Sequence, residues 1–131
     1  MFQLSVETEF CAAHAITMGG QREPLHGHNW RVTLTLAGPS LDDDGLLCDF
    51  HAAERALREV TAPFQNRDLG AVEPFDRVNP TAEQVARHIA ERVQALLGTT
   101  LARGAAVAAC RVTEAPGCAA TYLPRTAAAH P

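Results

Sequence analysis

The chain has 131 residues, which is enough for one domain and too few for two. Hydrophobic residues make up 47% of the sequence and charged residues 20%, a globular composition that excludes an intrinsically disordered chain. The formal net charge of −4 gives no electrostatic support to nucleic-acid binding. All 11 basic residues are arginines, so Schiff-base chemistry and a phosphate-loop lysine are excluded.

The sequence predicts a cytoplasmic protein. It has no apolar run of about 18 residues, the length that a membrane helix requires. Its first ten residues, MFQLSVETEF, include acidic and no basic side chains, so no signal peptide is predicted. The cysteines show no close pairing along the chain and are expected to be reduced and mostly buried. They are Cys11, Cys48, Cys110 and Cys118.

Two alternating segments in the first third of the chain predict half-buried strands. In Phe2–Phe10 the even-numbered positions form one face, apolar except at Thr8, and polar residues form the other. Asn29–Ala37 alternates in the same way. The intervening residues 15–25 are predicted to form a loop, because they contain glycines and a proline.

Two helices are predicted in the middle of the chain. Asp49 is a candidate N-cap for a helix that reaches about Val60 and is ended by Pro63. Thr81 precedes Gln84 in capping-box spacing and begins a second helix that stops at Gly98. The apolar stripes predicted to be buried are Phe50, Ala53, Leu57 and Val60 in the first helix, and Val85, Ile89, Val93 and Leu96 in the second.

Two further strands are predicted near the end of the chain, at Ala105–Thr113 and Ala119–Leu123. The resulting order of strand, strand, helix, helix, strand, strand predicts an α+β domain with an antiparallel sheet. We expect a single domain over residues 1–125. Residues 126–131, with the sequence TAAAHP, are expected to form a frayed tail.

Three histidines are candidate metal ligands. His26 and His28 are two positions apart in a predicted strand, so both point to one face at a spacing of roughly 6.6 Å. His14 ends the first strand, and antiparallel pairing of the two strands can place it beside them. Three imidazoles with a fourth position open are typical of a catalytic zinc site. The alternative is three unrelated histidines at strand ends.

The sequence around these histidines resembles the 6-pyruvoyl- and 6-carboxytetrahydropterin synthase family. Matching motifs occur in order along nearly the whole chain, at Phe10–His14, His26–Trp30, Asp49-Phe50, Asn79–Glu83 and Val112–Glu114, with Cys118 and Tyr122. The resemblance implies the T-fold, a four-stranded antiparallel sheet with two helices on one face. It also implies that the sheets join into a barrel, usually a homohexamer of two stacked trimers with sites at subunit boundaries.

The same resemblance implies roles for individual residues. It makes His14, His26 and His28 zinc ligands. It makes Glu114 the carboxylate that anchors the pterin, and it places Thr81 and Glu83 at further pterin contacts. Without the resemblance, Thr81 and Glu83 are a helix cap and a first-turn carboxylate, and Glu114 is a solvated residue at a strand end.

The chain departs from the family pattern at the acid–base residues. Arg22 stands where the family has a catalytic cysteine, and Gln65 and Asn66 replace its Asp-His dyad. Neither replacement side chain can carry a proton at neutral pH. Glu23 is the remaining candidate base, because a subgroup of the family uses a glutamate near this position, although here it lies one residue closer to His26. The alternative for Glu23 is a solvated loop carboxylate.

Together with these residues, the resemblance implies a zinc-dependent lyase that acts on the C6 side chain of a dihydropterin. Side-chain cleavage of 7,8-dihydroneopterin, or of its triphosphate, would yield 6-hydroxymethyl-dihydropterin. Production of 6-carboxy- or 6-pyruvoyl-tetrahydropterin is an alternative within the family. A pterin-binding protein without turnover is an alternative from another class, and a zinc hydrolase unrelated to pterins is a third.

Overall fold

The structure is a computed structural model and describes residues 1–125. The predicted tail, residues 126–131, lies outside the described residues. Two helices and seven strands are found in the described range, together with short 3₁₀ turns at Ala62–Phe64 and Leu69–Ala71. The strands are β1 (Phe2–His14), β2 (Thr17–Met18), β3 (Gln21–Arg22), β4 (His26–Gly38), β5 (Arg67–Asp68), β6 (Ala106–Ala115) and β7 (Cys118–Tyr122); the helices are α1 (Phe50–Thr61) and α2 (Ala82–Leu97).

The main sheet has the strand order β5-β1-β4-β6-β7. Strands β1 and β4 pair antiparallel along their whole lengths, from Phe2 opposite Gly38 to His14 opposite His26. The four predicted strands and their antiparallel pairing are therefore confirmed. The sheet also contains β5, a two-residue strand that pairs parallel with β1 and is too short to give a sequence signal.

One face of the sheet is buried under both helices. Helix α1 packs on β1, and α2 packs on β6 and β7. The alternation of β4 supplies the centre of the core, where Trp30, Val32, Leu34 and Leu36 have no exposed surface. Burial of these large apolar side chains is the main driving force for closing the helices on the sheet.

Both predicted helix starts are confirmed. The Asp49 carboxylate accepts a hydrogen bond from the His51 N–H at 2.9 Å, and the Thr81 hydroxyl accepts one from the Gln84 N–H at 3.1 Å. Each cap satisfies a backbone donor that has no partner within the helix.

Two of the predicted core positions are wrong. Phe50 is 56% exposed, because it lies in the first turn of α1, ahead of Ala53, where the buried stripe begins. Leu96 is also exposed, and the neighbouring Leu97 fills the core position at the end of α2.

The four cysteines are free thiols, as expected, but only Cys48 and Cys110 are buried. Burial raises the pKa of Cys110 to about 12. Cys11 and Cys118 are exposed, so the expectation that most thiols are buried is only half met. Neither helix in residues 1–125 is long and apolar enough to span a membrane.

Candidate metal centre and active site

The three histidines meet at one end of the buried sheet face. His14, the last residue of β1, pairs directly with His26, and Ala12 pairs with His28. The centroids of the three imidazole rings lie 4.7–5.1 Å apart. Trp30 closes the floor of the cluster with its ring edge-on to His14 at a centroid distance of 4.8 Å. The core alternation of β4 thus continues into the cluster.

Backbone carbonyls fix the orientation of two rings. The Nδ1 of His14 lies 2.8 Å from the Pro80 carbonyl oxygen, and the Nδ1 of His26 lies 2.9 Å from the Pro24 carbonyl oxygen. Because a carbonyl can only accept, each Nδ1 carries the hydrogen, and in the neutral ring each Nε2 then presents its lone pair. A backbone carbonyl that accepts from the other ring nitrogen is usual for metal-binding histidines.

The environment of His28 also favours the neutral imidazole that a metal ligand requires. Burial is the main cause of its lowered pKa, and proximity to His14 and His26 acts in the same direction. The carboxylates of Glu114 and Glu23 oppose this effect without reversing it. A neutral ring leaves the Nε2 lone pair of His28 free to bind a cation.

Glu114 reaches the histidine cluster from β6. Its Oε1 lies 2.6 Å from the Nε2 of His14 and 3.2 Å from the Nε2 of His28. The residue lies within a β-bulge, since Thr113 pairs with Ala119 and Ala115 with Cys118. Bulges commonly re-aim a side chain beside a functional site.

The four residues fit a metal ion. One donor atom from each of His14, His26, His28 and Glu114 lies within 4.8 Å of the others. The Nε2 atoms of His14 and His28 are buried and form no hydrogen bond, which is costly unless another partner binds them. Imidazole nitrogens with one carboxylate are a donor set typical of catalytic zinc, and the same groups suit other first-row metals.

Glu23 also lies beside the cluster. Strands β2 and β3 form a hairpin whose tight turn uses Gly19 and Gly20 at positive φ. After this hairpin, the Glu23 N–H donates to the Ile16 carbonyl at 3.0 Å, and the Ile16 N–H donates to Glu23 Oε1 at 3.1 Å. The same Oε1 lies 3.7 Å from the Nε2 of His26. The shorter spacing to His26 therefore still places a carboxylate next to the histidines.

Other candidate residues lie outside the cluster. Thr81 caps α2, and Glu83 is exposed in the first turn of that helix. Arg22 is exposed in β3. Gln65 and Asn66 bind the edge of β1, where Gln65 Oε1 accepts from the Cys11 N–H at 3.2 Å and the Asn66 N–H donates to the Cys11 carbonyl at 2.6 Å.

Asn79 and Pro80 have structural roles that the sequence did not indicate. The Asn79 side chain accepts from the Thr17 N–H at 2.9 Å and donates to the Thr17 carbonyl at 2.8 Å. The next residue, Pro80, supplies the acceptor for His14. These contacts join positions more than 60 residues apart, so no local pattern could have indicated them.

A cleft of about 460 Å³ opens beside the centre. Its lining includes His28 and Glu114 from the candidate centre, together with Asn29 and Arg31. It is large enough to admit a small organic molecule to His28 and Glu114.

Residues 3–125 match the model of the 6-pyruvoyl tetrahydropterin synthase family. The chain belongs to this family. A relative, the 6-carboxy-5,6,7,8-tetrahydropterin synthase of Bacillus subtilis (strain 168), is 36% identical over 104 residues, which cover 75% of this chain and 69% of the relative.

Solved structures of 6-pyruvoyl tetrahydropterin synthases share the fold of this family member. The Caenorhabditis elegans protein superposes with a TM-score of 0.79 and 20% identity, over 95% of this chain and 96% of the other. The Plasmodium vivax protein gives a TM-score of 0.75 and 22% identity, over 95% and 98% of the two chains. The predicted T-fold is confirmed.

Proposed function

We propose that this protein is a zinc-dependent lyase that cleaves the C6 side chain of 7,8-dihydroneopterin or of its triphosphate. The observation that carries the proposal is the position of Glu23, whose carboxylate oxygen lies 3.7 Å from the Nε2 of His26. A pterin-processing activity agrees with the family to which the chain belongs. A glutamate-to-alanine variant of the Plasmodium vivax relative is described as a catalytic residue mutant, which supports a glutamate in this role.

In the proposed site, His14, His26 and His28 hold the zinc ion, which when bound supplies Lewis-acid polarisation of the side-chain oxygens. Glu23 accepts the proton of the C2′ hydroxyl as a general base. Its two hydrogen-bonding links to Ile16 hold it against the cluster. The carboxylate of Glu114 recognises the amino group and ring N–H of the pterin, to which a charged acceptor binds strongly.

Loss of the hydroxyl proton allows the C1′–C2′ bond to break in a retro-aldol step. The C2′ carbon leaves as an aldehyde, and its electron pair passes to C1′, where the adjoining ring imine stabilises it. Protonation of C1′ then gives 6-hydroxymethyl-dihydropterin. The proton that Glu23 accepts is available for this step, so no oxidant or reductant is required.

A second candidate is 6-carboxytetrahydropterin synthesis, which the name of the Bacillus subtilis relative favours. The residues at the family's other acid–base positions count against it. Arg22 is exposed, and the amides of Gln65 and Asn66 form hydrogen bonds at the edge of β1 and to each other. Neither amide can serve as a proton shuttle.

The discriminating experiment is to incubate zinc-loaded protein with 7,8-dihydroneopterin and, separately, with its triphosphate. Mass spectrometry then identifies the pterin product. We expect 6-hydroxymethyl-dihydropterin. A carboxy or pyruvoyl product would instead indicate 6-carboxy- or 6-pyruvoyl-tetrahydropterin synthesis. Pterin recovered unchanged in complex with the protein would indicate a binding protein without turnover.

The role of Glu23 is tested by Glu23→Gln, which keeps the size of the side chain and removes its basicity. Turnover is expected to fall by about 10²–10⁴-fold while the zinc content stays the same. The matched control is Glu54→Gln on α1, an exposed carboxylate that pairs with Arg58 outside the site. Equal turnover in the two variants would remove Glu23 from the mechanism.

A further inference from the structure

The geometry points to Glu114 as an exchangeable fourth metal ligand, bound to the metal in the absence of substrate and released from it when a dihydropterin binds. The inference rests on the proposed function only for the second half of this cycle. The first half concerns the metal-loaded protein alone and is tested without any pterin.

The first argument is the contact between Glu114 and His14. The Nδ1 hydrogen of His14 is directed to the Pro80 carbonyl, so its Nε2 offers a lone pair to a carboxylate oxygen only 2.6 Å away. Two acceptors at this distance repel each other unless a positive group lies between or beside them. The same oxygen lies 3.2 Å from the Nε2 of His28.

The directions of these groups argue against a simple hydrogen bond. Although Glu114 Oε1 is close, the Nε2 atoms of His14 and His28 have no hydrogen-bond partner, because the oxygen lies out of line with each ring nitrogen. Donor atoms that bind one ion point towards that ion and not towards each other. The arrangement therefore fits ligands around a common centre, with Glu114 as one of them.

The second argument is the contrast between the two carboxylates of the site. The nearest oxygen of Glu23 is 3.7 Å from a histidine nitrogen and already accepts a hydrogen bond from Ile16. It is therefore held in place as a base. Glu114 has no hydrogen bond of this kind among the described residues, and it alone joins the three histidines in the four-donor group.

The third argument is that Glu114 lies where the backbone can adjust. Its neighbours Thr113 and Ala115 pair with β7, whereas Glu114 is skipped by the bulge between them. An unpaired bulge residue can change its direction without breaking ladder hydrogen bonds. Its side chain is 27% exposed and lines the cleft beside the cluster, so a ligand in this cleft meets it directly.

These observations give Glu114 two partners in turn. While Glu114 binds the metal, it would occupy a position that a side-chain oxygen of the substrate would otherwise take. A dihydropterin that enters the cleft displaces the carboxylate and offers it amino and ring N–H donors instead. The exchange exposes the reactive metal only when the substrate is present.

The first experiment titrates metal-free protein with Co²⁺ and follows the visible absorption spectrum, which reports the donor set and coordination number. Zinc affinity is measured in parallel by competition with a chromophoric chelator. We expect Glu114→Gln to weaken zinc binding at least about tenfold and to change the cobalt spectrum. Glu54→Gln on α1 is the matched control and is expected to leave the zinc affinity and the cobalt spectrum unchanged, because its carboxylate pairs with Arg58 outside the site.

Equal zinc affinity and an identical cobalt spectrum in Glu114→Gln and the wild type would overturn the inference. Circular dichroism in the presence of a chelator establishes that the variant is folded. Glu114→Asp provides a second test, since it keeps the charge but withdraws the oxygens by one methylene. It too is expected to weaken the metal site and to alter the spectrum.

The second experiment adds 7,8-dihydroneopterin to the cobalt-loaded wild type. With both proteins saturated with dihydroneopterin, a spectral change that is much smaller in Glu114→Gln than in the wild type supports the exchange. A wild-type spectrum that does not respond to bound dihydroneopterin overturns the exchange. Because the metal titrations contain no pterin and no turnover assay, failure of the inference is distinguishable from failure of the proposed lyase activity.

Discussion

The two ends of strand β4 use the same alternation for different purposes. From Trp30 to Leu36 the inward positions are apolar and completely buried, and they form the core beneath the helices. At His28 and His26 the same face continues with imidazoles that remain partly exposed. The comparison teaches that the candidate metal centre is an extension of the core pattern, in which imidazole rings replace apolar side chains.

The largest effect is expected from replacing a candidate metal ligand at the histidine end of β4. His28→Gln is expected to abolish stoichiometric zinc binding and to lower turnover more than about 100-fold, since even the loss of a residue that only hydrogen-bonds to a metal ligand costs about 10–100-fold. Its fold is expected to survive, because His28 lies at the open end of the sheet. Zinc content by atomic emission and thermal melting in a chelator check both parts; a wild-type zinc content would contradict the ligand assignment.

A substitution at the core end of β4 is expected to affect stability and not metal binding. Leu34→Ala is expected to lower the free energy of unfolding by about 2–5 kcal/mol, because it leaves a cavity at a position with no exposed surface. The folded fraction should still bind one equivalent of zinc. Urea denaturation measures the first quantity and metal analysis the second; loss of zinc from folded protein would show that the two ends are coupled.

The smallest expected effect concerns a histidine outside the centre. Burial lowers the pKa of His88, which packs against Phe64 and Phe75, and Arg92 acts in the same direction while Glu91 opposes it. Well above pH 6.5 the ring is neutral in both the folded and the unfolded chain. The stability that the packed, neutral His88 ring contributes is then fully present. It is lost as the pH falls from 6.5 through the lowered pKa, because the unfolded chain binds the proton first.

For this partly exposed ring, we expect the change to be a fraction of about 1 kcal/mol. It is measured by comparing urea unfolding at pH 7.5 and 5.5 for the wild type and His88→Gln, which has no titratable group at this position. The variant should lose less stability between the two pH values. The opposite ordering would contradict the assigned direction. Glu59 and Glu73, which line a cleft together with His88, are unchanged in both proteins.

The sequence predicts most of the fold because its signals are local. Alternation in β1 and β4 and the capping residues Asp49 and Thr81 each act within a few positions. The strand ends are less clear from local signals: the alternation of Phe2–Phe10 stops before His14, and pairing of Cys11 and Ala12 with β4 continues β1 to that residue. Alanines have low intrinsic strand propensity, so this extension depends on the partner strand.

The site was predictable only in part, because several of its contacts join residues that are far apart in the sequence or depend on irregular backbone. The spacing of His26 and His28 indicates their shared face, whereas the approach of Glu23 depends on a hairpin turning back onto Ile16. The position of Glu114 depends on a bulge between β6 and β7, which has no clear sequence signal. The contacts of Asn79 and Pro80 depend on long-range packing.

The segment from Asn79 to Thr81 has a consequence for engineering the chain. Three successive residues fix the glycine hairpin, a ring of the centre and the start of α2. An inserted residue inside this segment would put all three out of register at once. The exposed stretch just before it, around Asp76 and Arg77, is the better place to add a tag or a linker.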